Sequence, residues 1–197
     1  MQIVPKIVDK SARRDEFIDV AWRIIRDHGF DAVTLRGVAA AAGYSNGALK
    51  PYFASKDELL VAAYARAYDR AVARVERAIR GTSGIAALRL ICYEIMPLDE
   101  IRELEAAVIV AFWGRALTLP GLAKQFRVND TAFRRQLAKH LDEARVSGEV
   151  TTEVSNADIV DSLMWMMMGL QAMELFTPQR TTPRRQRAAL ERILATL

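Results

Sequence analysis

Residues able to do covalent or metal chemistry are scarce in this chain. It has one cysteine, Cys92, and two histidines, His28 and His140. A single cysteine excludes an internal disulfide framework and fits a reducing compartment. A di-iron site in a helical bundle needs Glu-x-x-His pairs, and neither histidine has a glutamate three residues before it. A zinc site or a thiol catalyst is poorly served by the same three residues. A glycine-rich phosphate loop is missing. The expectation is a non-enzyme with no metal and no cofactor, in which His28 is a helix-end residue and His140 a surface residue.

Glycine and proline are also few, 10 and 6 of 197 residues, and long alternating β-branched runs are absent. That excludes most sheet architectures and points to an all-α fold. Apolar runs such as 106–113 are far too short to span a bilayer. No apolar stretch of export-signal length follows Met1. A soluble, cytoplasmic protein with no membrane partner is expected.

What is present is ordinary globular material: 51% hydrophobic, 26% charged, net charge +4. The charge is unevenly spread. Residues 1–56 carry nine Lys/Arg against six Asp/Glu, residues 57–177 carry 14 against 17, and residues 178–197 carry five against one. A basic end permits a polyanionic partner.

Helical periodicity and end signals divide the chain into about nine helices. The first runs from Ala12 to His28, with Ser11 as N-cap and Gly29 as stop. Two short helices follow, one capped by Thr34 and ended by Gly43, the other capped by Ser45 and reaching Tyr52. A long helix starts at the Ser55–Glu58 capping box and lasts to about Arg80. Five more are expected near 85–96, 99–117, 121–147, 156–176 and 183–196, separated by Pro- and Gly-containing breaks. Ser155 with Asp158, and Pro183 at a first helical position, are start signals. The domain boundary falls along the long helix, giving an N-terminal domain over 1–56 and a helical domain over 57–197.

The stretch from Thr34 to Phe53 has helix-turn-helix spacing. Ala39 is small where two helices cross, Gly43 tolerates positive φ at the turn, and Leu49 anchors the second helix. Asn46 and Lys50 are four apart and would share an outward face, with Leu49 and Phe53 on the inner one. Asn suits adenine and Lys suits guanine acceptors. Spacing alone leaves open an alanine-rich hairpin with polar residues facing water.

The residues across 14–60 resemble the N-terminal domain of TetR-family regulators. The matching pieces are Arg26 to Phe30, Val33 to Ala39, Ala42 to Leu49 and Tyr52 to Leu60. The resemblance implies a regulator that binds a double-stranded DNA operator as a homodimer and responds to a small molecule. It implies that Thr34, Ser45, Tyr52 and Lys56 contact phosphate, that Arg36 reaches a base edge or the backbone, and that Asn46, Gly47 and Lys50 face bases. Pro51 departs from the family pattern. It cannot donate to the Gly47 carbonyl and biases Lys50 away from helical geometry, so the recognition helix is expected to kink or end there.

The second half is similar to the BetI-like subgroup around Pro97 to Glu100, Glu105 and Ala111 to Trp113. Met164 to Leu170 lies in a segment apolar all round, which must be buried on every side. The resemblance implies that the last two long helices form a dimer interface, with Met164, Met167, Leu170 and Met173 in it. The plainer account is that methionines fill an irregular core. Phe112, Trp113, Trp165 and Met168 could line a mainly apolar ligand pocket, with Glu105 or Glu174 supplying a charge; core aromatics and solvated carboxylates explain them as well. An architectural helical protein without specific DNA binding is the remaining alternative, favoured only by Pro51.

Overall fold

The computed structural model describes residues 10–197. The first nine residues, where the sequence places the start of the N-terminal domain and no export signal, lie outside the described residues. The described residues form eight α-helices and two short 3₁₀ turns, with no strand. They are α1 (Lys10–His28), α2 (Leu35–Ala41), α3 (Lys56–Ala78), α4 (Gly84–Ile95), α5 (Glu100–Ala116), α6 (Pro120–Val146), α7 (Asn156–Phe176) and α8 (Pro183–Leu194).

Local chemistry accounts for most helix starts. Thr34 Oγ1 accepts the Gly37 N–H at 2.9 Å and opens α2. A Cβ at Gly37 would lie 2.8 Å from that oxygen, so glycine leaves the cap its room. At α3, Ser55 Oγ accepts the Glu58 N–H at 3.1 Å. The Glu58 carboxylate reaches back one residue further than a standard capping box, to the Ala54 N–H at 2.6 Å. Ser155 and Asp158 make the same kind of pair at the start of α7. One start differs from expectation: α1 begins at Lys10, so Ser11 lies inside its first turn.

The ninth helix, over residues 45–52, does not form. The backbone there winds as tight turns, with N–H to carbonyl bonds from Ala48 to Ser45, Lys50 to Gly47 and Tyr52 to Leu49. These step three residues, not four. Pro51 is the cause. It has no N–H for the Gly47 carbonyl, and its ring crowds that carbonyl, so Lys50 supplies the bond from one residue earlier at 3.2 Å.

Two apolar clusters hold the bundle. The first joins α1, α2, the 45–53 turn and the first half of α3 to one side of α5, through Phe17, Trp22, Val38, Leu49, Leu60 and Phe112. The second joins α4, α6, α7 and α8 to the end of α3, through Val75, Leu88, Ile91, Leu137, Leu163 and Leu190. Helix α5 packs in the first cluster and also lies against α6 and α7, so it touches both halves. Its Arg115 also makes a two-pronged ion pair with Asp57 at the start of α3, at 3.0 and 2.9 Å. His140, expected at the surface, is buried on α6 with Nδ1 2.7 Å from the Glu143 carboxylate. The α6 face that carries Leu137, Leu141 and Ala144 turns it inward.

Helix α7 alone among the described helices has the length and apolar composition of a membrane span. Its residues Ile159, Leu163 and Met167 are instead packed in the bundle.

Candidate functional site

The helix-turn-helix unit is anchored from below and open above. Val38, Ala39, Leu49 and Phe53 are all 1% exposed or less. Gly43 takes φ +78° at the turn, in the region that favours glycine. The next residue, Tyr44, locks the turn onto α1. Its N–H bonds the Ala39 carbonyl at 2.8 Å, its hydroxyl donates to Glu16 at 2.9 Å, and Phe17 meets its ring edge-on. The bond to Glu16 holds the Tyr44 pKa above its ordinary value.

On this frame Thr34, Arg36, Ser45, Asn46, Gly47 and Lys50 are all exposed. Tyr52 is half-buried against Phe17, with ring centroids 5.5 Å apart. Lys56 lies 4.8 Å above the Phe30 ring and 3.9 Å from Asp31, and it remains partly exposed. A Cβ at Gly47 would meet nothing within 4 Å. No described residue thus requires glycine at that position. Because the segment winds in three-residue steps, Asn46 and Lys50 are not held on one face as a regular helix would hold them.

A cavity lies behind this unit, between α3, α5, α6 and α7. Its empty space is about 910 Å³, open solvent at the mouth included. Tyr64, Tyr68, Trp113, Phe126 and Phe133 form aromatic walls; Ile109, Met164, Met167 and Met168 fill between them. One end is charged. Arg74 grips Glu105 with two bonds, at 2.9 and 2.6 Å, and Glu94 through Nε at 3.1 Å. Arg102 reaches Glu94 at 3.3 Å and Asp99 at 2.5 Å. Burial pulls the Arg74 pKa down, but its carboxylate partners outweigh that and hold it above the ordinary value.

Of the residues the sequence assigns to a pocket, Glu105, Trp113 and Met168 line this cavity. Phe112 does not: it sits one layer behind, stacked on Tyr64 with centroids 3.7 Å apart. Trp165 is 66% exposed on the far side of α7. Glu174 is engaged elsewhere, accepting from Thr181 Oγ1 at 2.5 Å. The residues assigned to a subunit interface divide the other way. Met164 and Met167 are 6% and 2% exposed and face the cavity, so a single chain already buries them. Leu170 is half-buried, and Met173 is exposed. An all-apolar helix has no contrast between its faces, so periodicity could not orient it. Arg74, Glu94 and Arg102 were not legible as pocket residues, because their meeting depends on packing between helices remote in sequence. Cys92 lies in the second cluster, where burial pushes its thiol up to about 12, so it carries no thiolate at neutral pH.

Comparison with known proteins gives a consistent result. Residues 17–63 match the family described as bacterial regulatory proteins, tetR family. Residues 84–197, more than half the chain, match the family described as BetI-type transcriptional repressor, C-terminal. The transcriptional regulator PksA of Bacillus subtilis is 33% identical over 105 residues; the match spans 52% of this chain and about half of that protein, 51%. The regulator BetI of Burkholderia mallei is 30% identical over 149 residues, covering 72% of this chain and 76% of that one. A transcriptional regulator from Saccharomonospora viridis, solved in complex with choline, superposes with a TM-score of 0.86 at 19% identity, covering 94% of this chain and 97% of that one.

Proposed function

From the premise that this chain belongs to the TetR family of bacterial transcriptional regulators, we propose that it is a cytoplasmic, ligand-controlled repressor that binds a palindromic operator as a homodimer. The observation that carries this is the pairing of a buried anchor, Leu49 and Phe53, with a solvent-exposed polar rim of Arg36, Ser45, Asn46 and Lys50. Thr34, Ser45, Tyr52 and Lys56 position the domain on phosphates, while Arg36, Asn46 and Lys50 read base edges. Gly47 lets the turn approach the duplex closely.

Ligand control follows from α5. Glu105, Ile109 and Trp113 face the cavity, while Val108, Phe112 and Ala116 pack into the N-terminal cluster. A molecule that prefers one setting of α5 shifts the placement of the DNA-facing turn; one with equal affinity for both shifts nothing.

The dimer face is the outward side of α7. Trp165, Met173 and Phe176 are 66%, 43% and 74% exposed and recur at helical spacing with Gly169 between them. An apolar stripe of this kind marks a protein contact. Two copies reading DNA would meet half-sites about one helical turn, or a multiple of it, apart.

The primary test is a gel shift of the chain on the DNA upstream of its own gene. A discrete complex competed by the same DNA, and not by unrelated DNA, is the expected result. Binding no tighter than to unrelated DNA would leave only an architectural helical protein.

A further inference from the structure

We propose that the cavity is closed to ions and selects a neutral, largely apolar molecule bearing one or two hydroxyl or carbonyl groups. This rests on the reading of the cavity as an effector site. The support is how the charges in it are already used. The two cationic side chains at the polar end, Arg74 and Arg102, face two carboxylates, Glu94 and Glu105, and each guanidinium is engaged by at least one of them. Both Glu105 oxygens are taken by Arg74, and that carboxylate is only 4% exposed. The remaining lining carboxylate, Asp130, is bridged by Arg134.

An anion that binds Arg74 must therefore displace Glu105, whose buried carboxylate has no other partner, while Glu94 would keep Arg102. An entering cation finds each of the three lining carboxylates, Glu94, Glu105 and Asp130, already paired with an arginine. Breaking one side of a buried ion pair is costly, because it strands the other charge. Aromatic walls favour a cation only when this cost is absent.

Neutral hydrogen-bonding groups are, by contrast, left open. Tyr68 and Trp113 line the cavity, and neither the Tyr68 hydroxyl nor the Trp113 indole N–H has a hydrogen-bond partner among the described residues; the buried Arg102 Nε–H has none either. Gln171 spends its Nε2–H on the Ile95 carbonyl at 3.1 Å and keeps Oε1 unused. Two donors and an acceptor set in aromatic walls suit a hydroxyl or carbonyl on a ring-sized body. The ion-pair network acts as an exclusion device, the repulsive half of specificity.

The test uses three probes of matched shape: 2-naphthol, 2-naphthoate and 2-naphthyltrimethylammonium. Binding to the intact chain is measured by calorimetry in the absence of DNA, so failure of ligand control over DNA does not affect the result. The neutral probe is expected to bind roughly tenfold or more tighter than either ion. In Glu105→Gln, which frees a positive charge on Arg74, naphthoate should gain by a similar factor. Equal or tighter binding of either ion by the wild-type chain, or no binding of any probe at millimolar concentration, overturns the proposal. The wild-type panel decides the matter even if Glu105→Gln fails to fold.

Discussion

The DNA-facing turn and the cavity behind it are made from the same α-helical chain, yet they hold their functional side chains in opposite ways. At the turn, Arg36, Asn46 and Lys50 stand exposed on a frame secured by caps, a left-handed glycine and buried anchors. In the cavity, Arg74 and Glu105 are joined across 31 positions of sequence and withdrawn from water. A surface that reads a large polyanion works with what it leaves unpaired. The pocket, on the proposed reading, discriminates among small molecules with what it has already paired.

The contrast breaks hardest at the residue both regions share. Phe112 is fully buried and stacks on Tyr64, a cavity wall, while packing in the N-terminal cluster. Phe112→Ala should cost about 3–5 kcal/mol, measured by urea unfolding. A loss well under about 1 kcal/mol would mean that α5 does not tie the halves together.

The two faces of α7 provide the next test. Met167→Asp places a charge in the core and should give unfolded or insoluble protein, a penalty of several kcal/mol. Trp165→Asp changes an exposed position and should leave a folded chain, judged by circular dichroism, that sediments as a monomer. A Trp165→Asp variant that remains dimeric would move the interface off this face.

Within the turn the roles themselves separate. Lys50→Ala should cost about 1–3 kcal/mol on the operator and relax the preference at one base pair per half-site. Lys56→Ala should weaken all sequences alike and lower the salt slope by about one unit. Binding to a panel of single-base operator variants distinguishes them. Uniform weakening by Lys50→Ala would make Lys50 another phosphate contact, leaving Asn46 and Arg36 as the readers.

The smallest effect is the most local. Ser55→Ala removes the side-chain cap of α3 and should cost about 1 kcal/mol of stability, with the cavity's probe affinity unchanged. A change in probe affinity as large as that from a cavity substitution would show that the two regions are coupled through α3 as well as α5.

The sequence alone determined the helical class, the extent of most helices and which helix-turn-helix residues are buried anchors. The bounds expected for α7, Asn156 to Phe176, are those found. These features were legible because their causes are local: a cap bonds a backbone N–H three residues away, glycine tolerates a positive φ, and proline lacks a donor. Even the loss of the ninth helix was foreshadowed by Pro51, although its winding into three-residue steps, which separates Asn46 from Lys50, was not. Only the tertiary structure decided the orientation of α7, turning Met164 and Met167 onto the cavity and Trp165 outward. A helix apolar on every side gives no sequence contrast to orient it, so neighbouring helices choose the face. The Arg74–Glu105–Glu94–Arg102 network lay equally beyond sequence. Its members sit on three helices, and their charges meet because burial without partners would be too costly for the chain to fold any other way.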